Sequence, residues 1–248
     1  MAKKPEEIFS EITSDFNKVF GDDLISIILY GSGAGDDYIP GKSDLNFLVV
    51  LSEEGINNLE WAIDVVSRWR KKKVATPLFM TKSYIDSSLD SYPIEFLNMK
   101  RSYVTVFGED VLKKLSFEPG LLRLQCEREL KGKILHLREG LLETEGKEKR
   151  IRDLIKISLT AFISIFKALL YLKEVEIPSG RREVIKSVAG EFGIDPGIFL
   201  KCTDIKEDIG RFSPSEIKEI FKAYLMEVRR LSVIVDKLIV TTQGCRGV

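Results

Sequence analysis

The chain is poor in the residues from which soft-metal sites and disulfide frameworks are built. It has a single histidine, His136, and three cysteines in 248 residues. One histidine without a cysteine cluster around it cannot make a His-based metal site. Cys126, Cys202 and Cys245 are scattered, with no C-x-x-C, and this odd, sparse set fits a reducing cytoplasm better than a disulfide scaffold. Net charge is missing as well: 38 Lys and Arg balance 38 Asp and Glu. That balance argues against a dominant electrostatic grip on nucleic acid or on an anionic membrane. The opening, MAKKPEEIFSEI, lacks the continuous apolar core of a signal peptide. The most apolar stretch, residues 151–172, is interrupted by Arg152, Asp153, Lys156 and Lys167, so it reads as a buried helix and not as a membrane span. Internal repeats and long low-complexity tracts are also absent. The expectation is a cytoplasmic protein with neither a membrane nor a nucleic acid as partner.

What is present is a globular composition, 44% hydrophobic and 31% charged. Ile8, Ile12, Phe16 and Val19 recur at helical spacing, so residues 5–20 form an opening amphipathic helix. Residues 24–30 read as a buried isoleucine-rich strand and 45–51 as a second one. Between them, residues 31–43 carry four glycines and a proline, a loop with a short helical turn at its start. A helix over 56–70, a strand over 74–80, a short helix over 84–89 and short strands over 94–99 and 103–107 complete a mixed region. Beyond Glu118-Pro119-Gly120 strand signals stop. Segments 121–143, 147–173, 181–192 and 214–238 are helical in pattern, and Ser213-Pro214 with Glu216 forms a capping-box signature. The expected architecture is α+β: a mixed domain over 1–117, an all-α helical bundle over 118–240 and a flexible tail over 241–248. The apolar faces of such a bundle can pack within one chain or across a homodimer.

The chemistry is concentrated in LYGSGAGDDYIPGKSDLNFLVVL, residues 29–51. Small residues at Gly31 and Ser32 let backbone amides approach a phosphate, and the serine hydroxyl adds a donor. Side chains alternate along a strand, so Asp44 and Asn46 share one face while Leu45 and Phe47 take the other. Two oxygen ligands spaced in this way can hold one Mg²⁺ against nucleotide phosphates. A third carboxylate from a neighbouring strand would hold a second metal or accept a proton from a hydroxyl. Glu95, read as an acid within a short apolar strand, is the candidate.

The pattern Gly31-Ser32 followed by Ser43-Asp44-Leu45-Asn46-Phe47-Leu48-Val49 resembles the signature of the nucleotidyltransferase superfamily, and most closely the aminoglycoside-type nucleotidyltransferases. Leu29-Tyr30-Gly31-Ser32, the Ser-Asp before the second strand and Phe107-Gly108-Glu109-Asp110 carry the likeness. The resemblance implies a nucleotidyltransferase-like domain followed by a helical bundle. It further implies a nucleoside triphosphate donor, Mg²⁺ or Mn²⁺, and a hydroxyl-bearing acceptor, a small molecule or a protein. Carried over, Gly31 and Ser32 bind phosphates, with Lys42 and Ser43 in the adjoining loop. Asp44, Asn46 and Glu95 are the metal ligands, with Asp44 and Glu95 catalytic. The family's second acid falls on Asn46. An amide oxygen still coordinates Mg²⁺ but brings no charge, so transfer is expected to be weakened. The alternative is a catalytically impaired nucleotide-binding or regulatory module.

Two other features point elsewhere. Arg68-Trp69-Arg70-Lys71-Lys72-Lys73 looks like a nucleic-acid patch, but a basic helix end complementing the helix dipole explains it. Arg128 precedes His136 by too many residues to resemble the Arg-His spacing of a helical ribonuclease.

Overall fold

The computed structural model describes residues 4–35, 38, 40 and 43–240. Lys42, Cys245 and the 241–248 tail lie outside the described residues. The chain divides into two compact units, Met1–Phe117 and Glu118–Val248.

The first unit opens with a 3-10 turn, Pro5–Ile8, and helix α1, Phe9–Phe20. Strand β1, Leu24–Tyr30, leads into a 3-10 turn, Gly31–Ala34, and β2 spans Asn46–Leu51. A 3-10 stretch, Gly55–Ala62, feeds α2, Ile63–Arg70. Then come β3, Leu78–Met80, α3, Lys82–Ser88, α4, Pro93–Arg101, and β4, Tyr103–Gly108. The sheet order is β3-β2-β1-β4; β1 is antiparallel to β2 and β4, and β3 runs parallel to β2.

Both faces of the central strands are buried, with Ile28, Leu48 and Val50 on one of them, and alternation gives the other to a single apolar cluster. Ile27 and Leu29 of β1, with Leu45, Phe47, Val49 and Leu51, form one cluster with Ile12, Phe16 and Phe20 of α1 and with Val65 and Trp69 of α2. Burying each large apolar side chain of this kind contributes about 1.5–3 kcal/mol. The Trp69 indole N–H donates to the Asp15 carboxylate at 3.0 Å, so the one polar atom of that ring is satisfied inside the layer.

Three elements depart from the sequence expectation. Residues 94–99 are not a strand; they belong to α4, where Pro93 occupies the first turn and the Asn98 amide donates to the Ile94 carbonyl four residues back. A short apolar run has no period of its own to separate strand from helix, and proline at the first helical position settles it. The third strand shrinks to Leu78–Met80, with one bridge pairing Val74 to Leu45, because Pro77 has no N–H to donate to a ladder. Pro196–Lys206, outside the four helical segments expected, is a helix: the Asp195 carboxylate caps it by accepting the Gly197 N–H at 2.7 Å.

The second unit holds α5, Pro119–Glu143, α6, Glu148–Leu172, α7, Arg181–Phe192, α8, Pro196–Lys206, and α9, Pro214–Asp236. Among the described residues α6 is the one helix long and apolar enough to cross a membrane. It packs against all four of the other helices, and Ile151, Ile155, Leu159, Phe162 and Phe166 are buried at helical spacing. Phe162, Phe166, Phe199, Phe221 and Tyr224 meet mostly edge to face in this core, and the Tyr224 hydroxyl shares a hydrogen bond with Ser158 at 3.1 Å. The capping box at Ser213 and Glu216 is present, with Pro214 at the first helical position.

Thr81 caps α3, accepting the Tyr84 N–H at 3.1 Å, and is 5% exposed. Thr81→Ala is expected to lower unfolding free energy by about 1 kcal/mol, read from urea denaturation.

Candidate functional site

The glycine-serine turn is held by a residue far away in sequence. Gly31 has φ +76°, a left-handed conformation that glycine adopts without strain. Its N–H donates to the Ser102 carbonyl at 2.9 Å, and the Ser102 hydroxyl donates to the Gly31 carbonyl at 3.1 Å. Two residues on, a Cβ at Gly33 would stand 2.9 Å from Leu45 Cδ2 and 3.3 Å from Leu29 Cδ1, so the turn's backbone rests on those two leucines. Ser32 is half-buried, and its carbonyl accepts the Gly35 N–H at 3.3 Å.

Across from the turn lies the start of β2. The Leu45 N–H donates to the Lys73 carbonyl at 3.1 Å, and the Leu45 carbonyl accepts the Ala75 N–H at 2.9 Å. With Leu45 and Phe47 in the core, Asp44 and Asn46 take the opposite face; Asp44 is exposed, and Asn46 and Ser43 are half-buried. Asn46 is the register partner of Tyr30, and its Nδ2 lies 3.8 Å from where a Gly31 Cβ would be. Thus the turn and Asn46 are neighbours.

The row of residues level with Asn46 is uncharged. Tyr30 flanks it on β1, and Tyr103 flanks Tyr30 on β4. On the other side, the Ala75–Leu45 hydrogen bond and the Leu48–Leu78 pairing set residues 75–77, Ala-Thr-Pro, alongside Asn46. Burial pushes the Tyr30 phenol above its ordinary value. Desolvation, then the hydrogen bond to Asp110 at 3.0 Å, pushes Tyr103 up as well. Both phenols are therefore neutral at neutral pH.

No neighbouring strand supplies the expected third acid at this level. Glu95 is exposed and sits in the first turn of α4, which ends at Arg101, next to Ser102. Its link to the turn runs along that helix and not through the sheet. Among the described residues no three His, Cys, Asp or Glu side chains gather in a way that could hold a metal ion. The donor pair where β2 begins, the Asp44 carboxylate just before it and the Asn46 amide oxygen on it, fits a single Mg²⁺ shared with ligand phosphates and does not fit a two-metal centre.

Ser102 escaped the sequence reading, because a serine between a helix and a strand has no distinctive signal. Lys72 of the basic run is engaged structurally: its ammonium lies 4.4 Å from the Trp69 ring centroid and pairs with Glu11. His136 is exposed on α5 beside Glu139.

No family model matches the chain, and no curated protein matches it. Among solved structures, the spectinomycin adenyltransferase AAD(9) from Enterococcus faecialis, with ATP and spectinomycin, superposes with a TM-score of 0.50 at 14% identity. The match covers 92% of this chain and 99% of that one. The chain has a nucleotidyltransferase-like fold. At that identity the likeness speaks for the fold alone.

Proposed function

We propose that the protein binds a nucleoside triphosphate at the Gly31-Ser32 turn and transfers its nucleoside monophosphate, slowly, to a hydroxyl of a small molecule or protein. The observation that carries this is the apposition of the left-handed Gly31 with Asn46, on the strand face that also bears Asp44. The spectinomycin adenyltransferase, solved with ATP and spectinomycin, supports a nucleotide donor and a small-molecule acceptor.

In this reading the turn's backbone and the Ser32 hydroxyl receive the β- and γ-phosphates, with Ser43 and Lys42 contributed by the loop. Asp44 and Asn46 would hold Mg²⁺ or Mn²⁺, which when bound neutralises phosphate charge. Glu95 takes the acceptor's proton as its oxygen bonds to the α-phosphorus. The bond from the α-phosphorus to the bridging oxygen breaks, and pyrophosphate leaves. The uncharged row at Asn46 favours a second reading, a module that binds nucleotide without turning it over.

Calorimetry with each of the four nucleoside triphosphates, with and without Mg²⁺, tests the binding. At least one is expected to bind, and more tightly with the metal. Pyrophosphate release over a panel of hydroxyl acceptors then separates the readings: slow release that Glu95→Gln abolishes supports the transferase, and binding with no release supports the module. Binding of none of the four would dismiss both.

A further inference from the structure

We propose that Ser102 is the positioning residue of the nucleotide site, holding Gly31 in the conformation that receives phosphate; this rests on the nucleotide-binding reading above.

The β1–β4 ladder pairs Tyr30 with Tyr103, so the next rung joins Gly31 and Ser102. Half of that rung is ordinary: the Gly31 N–H donates to the Ser102 carbonyl. The other half would need the Ser102 N–H, but that group is committed to the Met99 carbonyl at 3.2 Å, closing the last turn of α4. The serine hydroxyl takes its place, donating to the Gly31 carbonyl at 3.1 Å. One residue therefore ends a helix with its backbone N–H and completes a ladder with its hydroxyl at the same point. Both backbone polar groups of Gly31 are directed towards Ser102, and a Cβ at Gly31 would stand 3.8 Å from Asn46 Nδ2. A Cβ at Gly35 would stand 2.9 Å from the Ser102 hydroxyl, so the far end of the turn rests on the same side chain. An alanine here leaves the Gly31 carbonyl without its donor. A threonine keeps the hydroxyl.

The test uses the full chain and whichever of the four Mg²⁺ nucleoside triphosphates the natural protein binds, with affinities measured well below the thermal transition of each variant. Ser102→Ala is expected to weaken binding about fivefold, the effect of one lost hydrogen bond, while Ser102→Thr stays within about twofold of the natural chain. Amide hydrogen exchange at residues 32–35 is expected to accelerate in Ser102→Ala while the core of β1 and β2 keeps its protection. A purely structural serine would shift the melting temperature and leave affinity and local exchange unchanged, and that result overturns the proposal. Equal weakening in the alanine and threonine variants also overturns it. If Ser102→Ala does not fold, Ser102→Cys, with its weak donor, is expected to bind with intermediate affinity, and unchanged affinity there is equally fatal. A natural chain that binds no nucleotide removes the site itself, and the positioning role with it. A chain that binds while Ser102→Ala binds equally well leaves the site standing and removes only Ser102's role.

Discussion

Asn46→Asp combined with Thr76→Glu is expected to raise pyrophosphate release on the order of a hundredfold over the natural chain, measured with a nucleotide it binds. Asn46 is level with residues 75–77 on one side and with Tyr30 and Tyr103 on the other, none of them acidic. Thr76 is the exposed member of its segment, so a longer acidic side chain there displaces no core. Aspartate is close to isosteric with asparagine and supplies the missing charge at the position nearest the turn. Two added carboxylates on one row repel each other without a cation, so the double variant should also be less stable in chelator and regain stability with Mg²⁺. Asn46→Asp alone is expected to give a smaller gain, because the row would still hold a single acid. A folded, nucleotide-binding double variant with an unchanged rate would show that the charge of this row does not limit transfer.

Gly108→Ala is expected to cost about 3 kcal/mol or more of unfolding free energy, seen as a large drop in the urea midpoint. Gly108 ends β4 at φ +73°, and a Cβ there would stand 1.9 Å from the Ile25 carbonyl oxygen and 2.9 Å from its carbon. Those atoms are backbone of the neighbouring strand and cannot rotate away as a side chain would. The same junction is fastened by the Ser26 hydroxyl, 3.1 Å from the Phe107 carbonyl and 2.7 Å from that of Glu109. The crowding therefore falls on the pairing of β1 with β4, on which the Gly31–Ser102 rung depends. A loss of stability no larger than that of a Gly→Ala change at an uncrowded glycine, for example Gly132, where nothing lies within 4 Å of an added Cβ, would refute this.

Phe107-Gly108-Glu109-Asp110 shows how far the sequence could be read. The four residues were legible as part of a family likeness, but the reason glycine stands there is the Ile25 carbonyl, 83 positions away in the chain and in contact only after β1 and β4 pair. Glu95 shows the opposite failure. Its neighbours Ile94, Phe96 and Leu97 are buried as an apolar strand would be, yet they belong to a helix. Burial is common to both states in a run this short, so composition could not separate them.

The sequence by itself determined the strand-turn-strand unit from Leu24 to Leu51, the shared face of Asp44 and Asn46, and four of the five helices between Pro119 and Asp236. Alternation, glycine content, caps and helical spacing are local, and each acts within a few residues. Only the tertiary structure decided that Ser102 completes the rung at Gly31, that Asn46 lies in an uncharged row, and that Glu95 is reached along a helix. Those facts depend on which strand pairs with which and in what register. Register is set by the burial of whole faces against α1 and α2, and no single residue carries it.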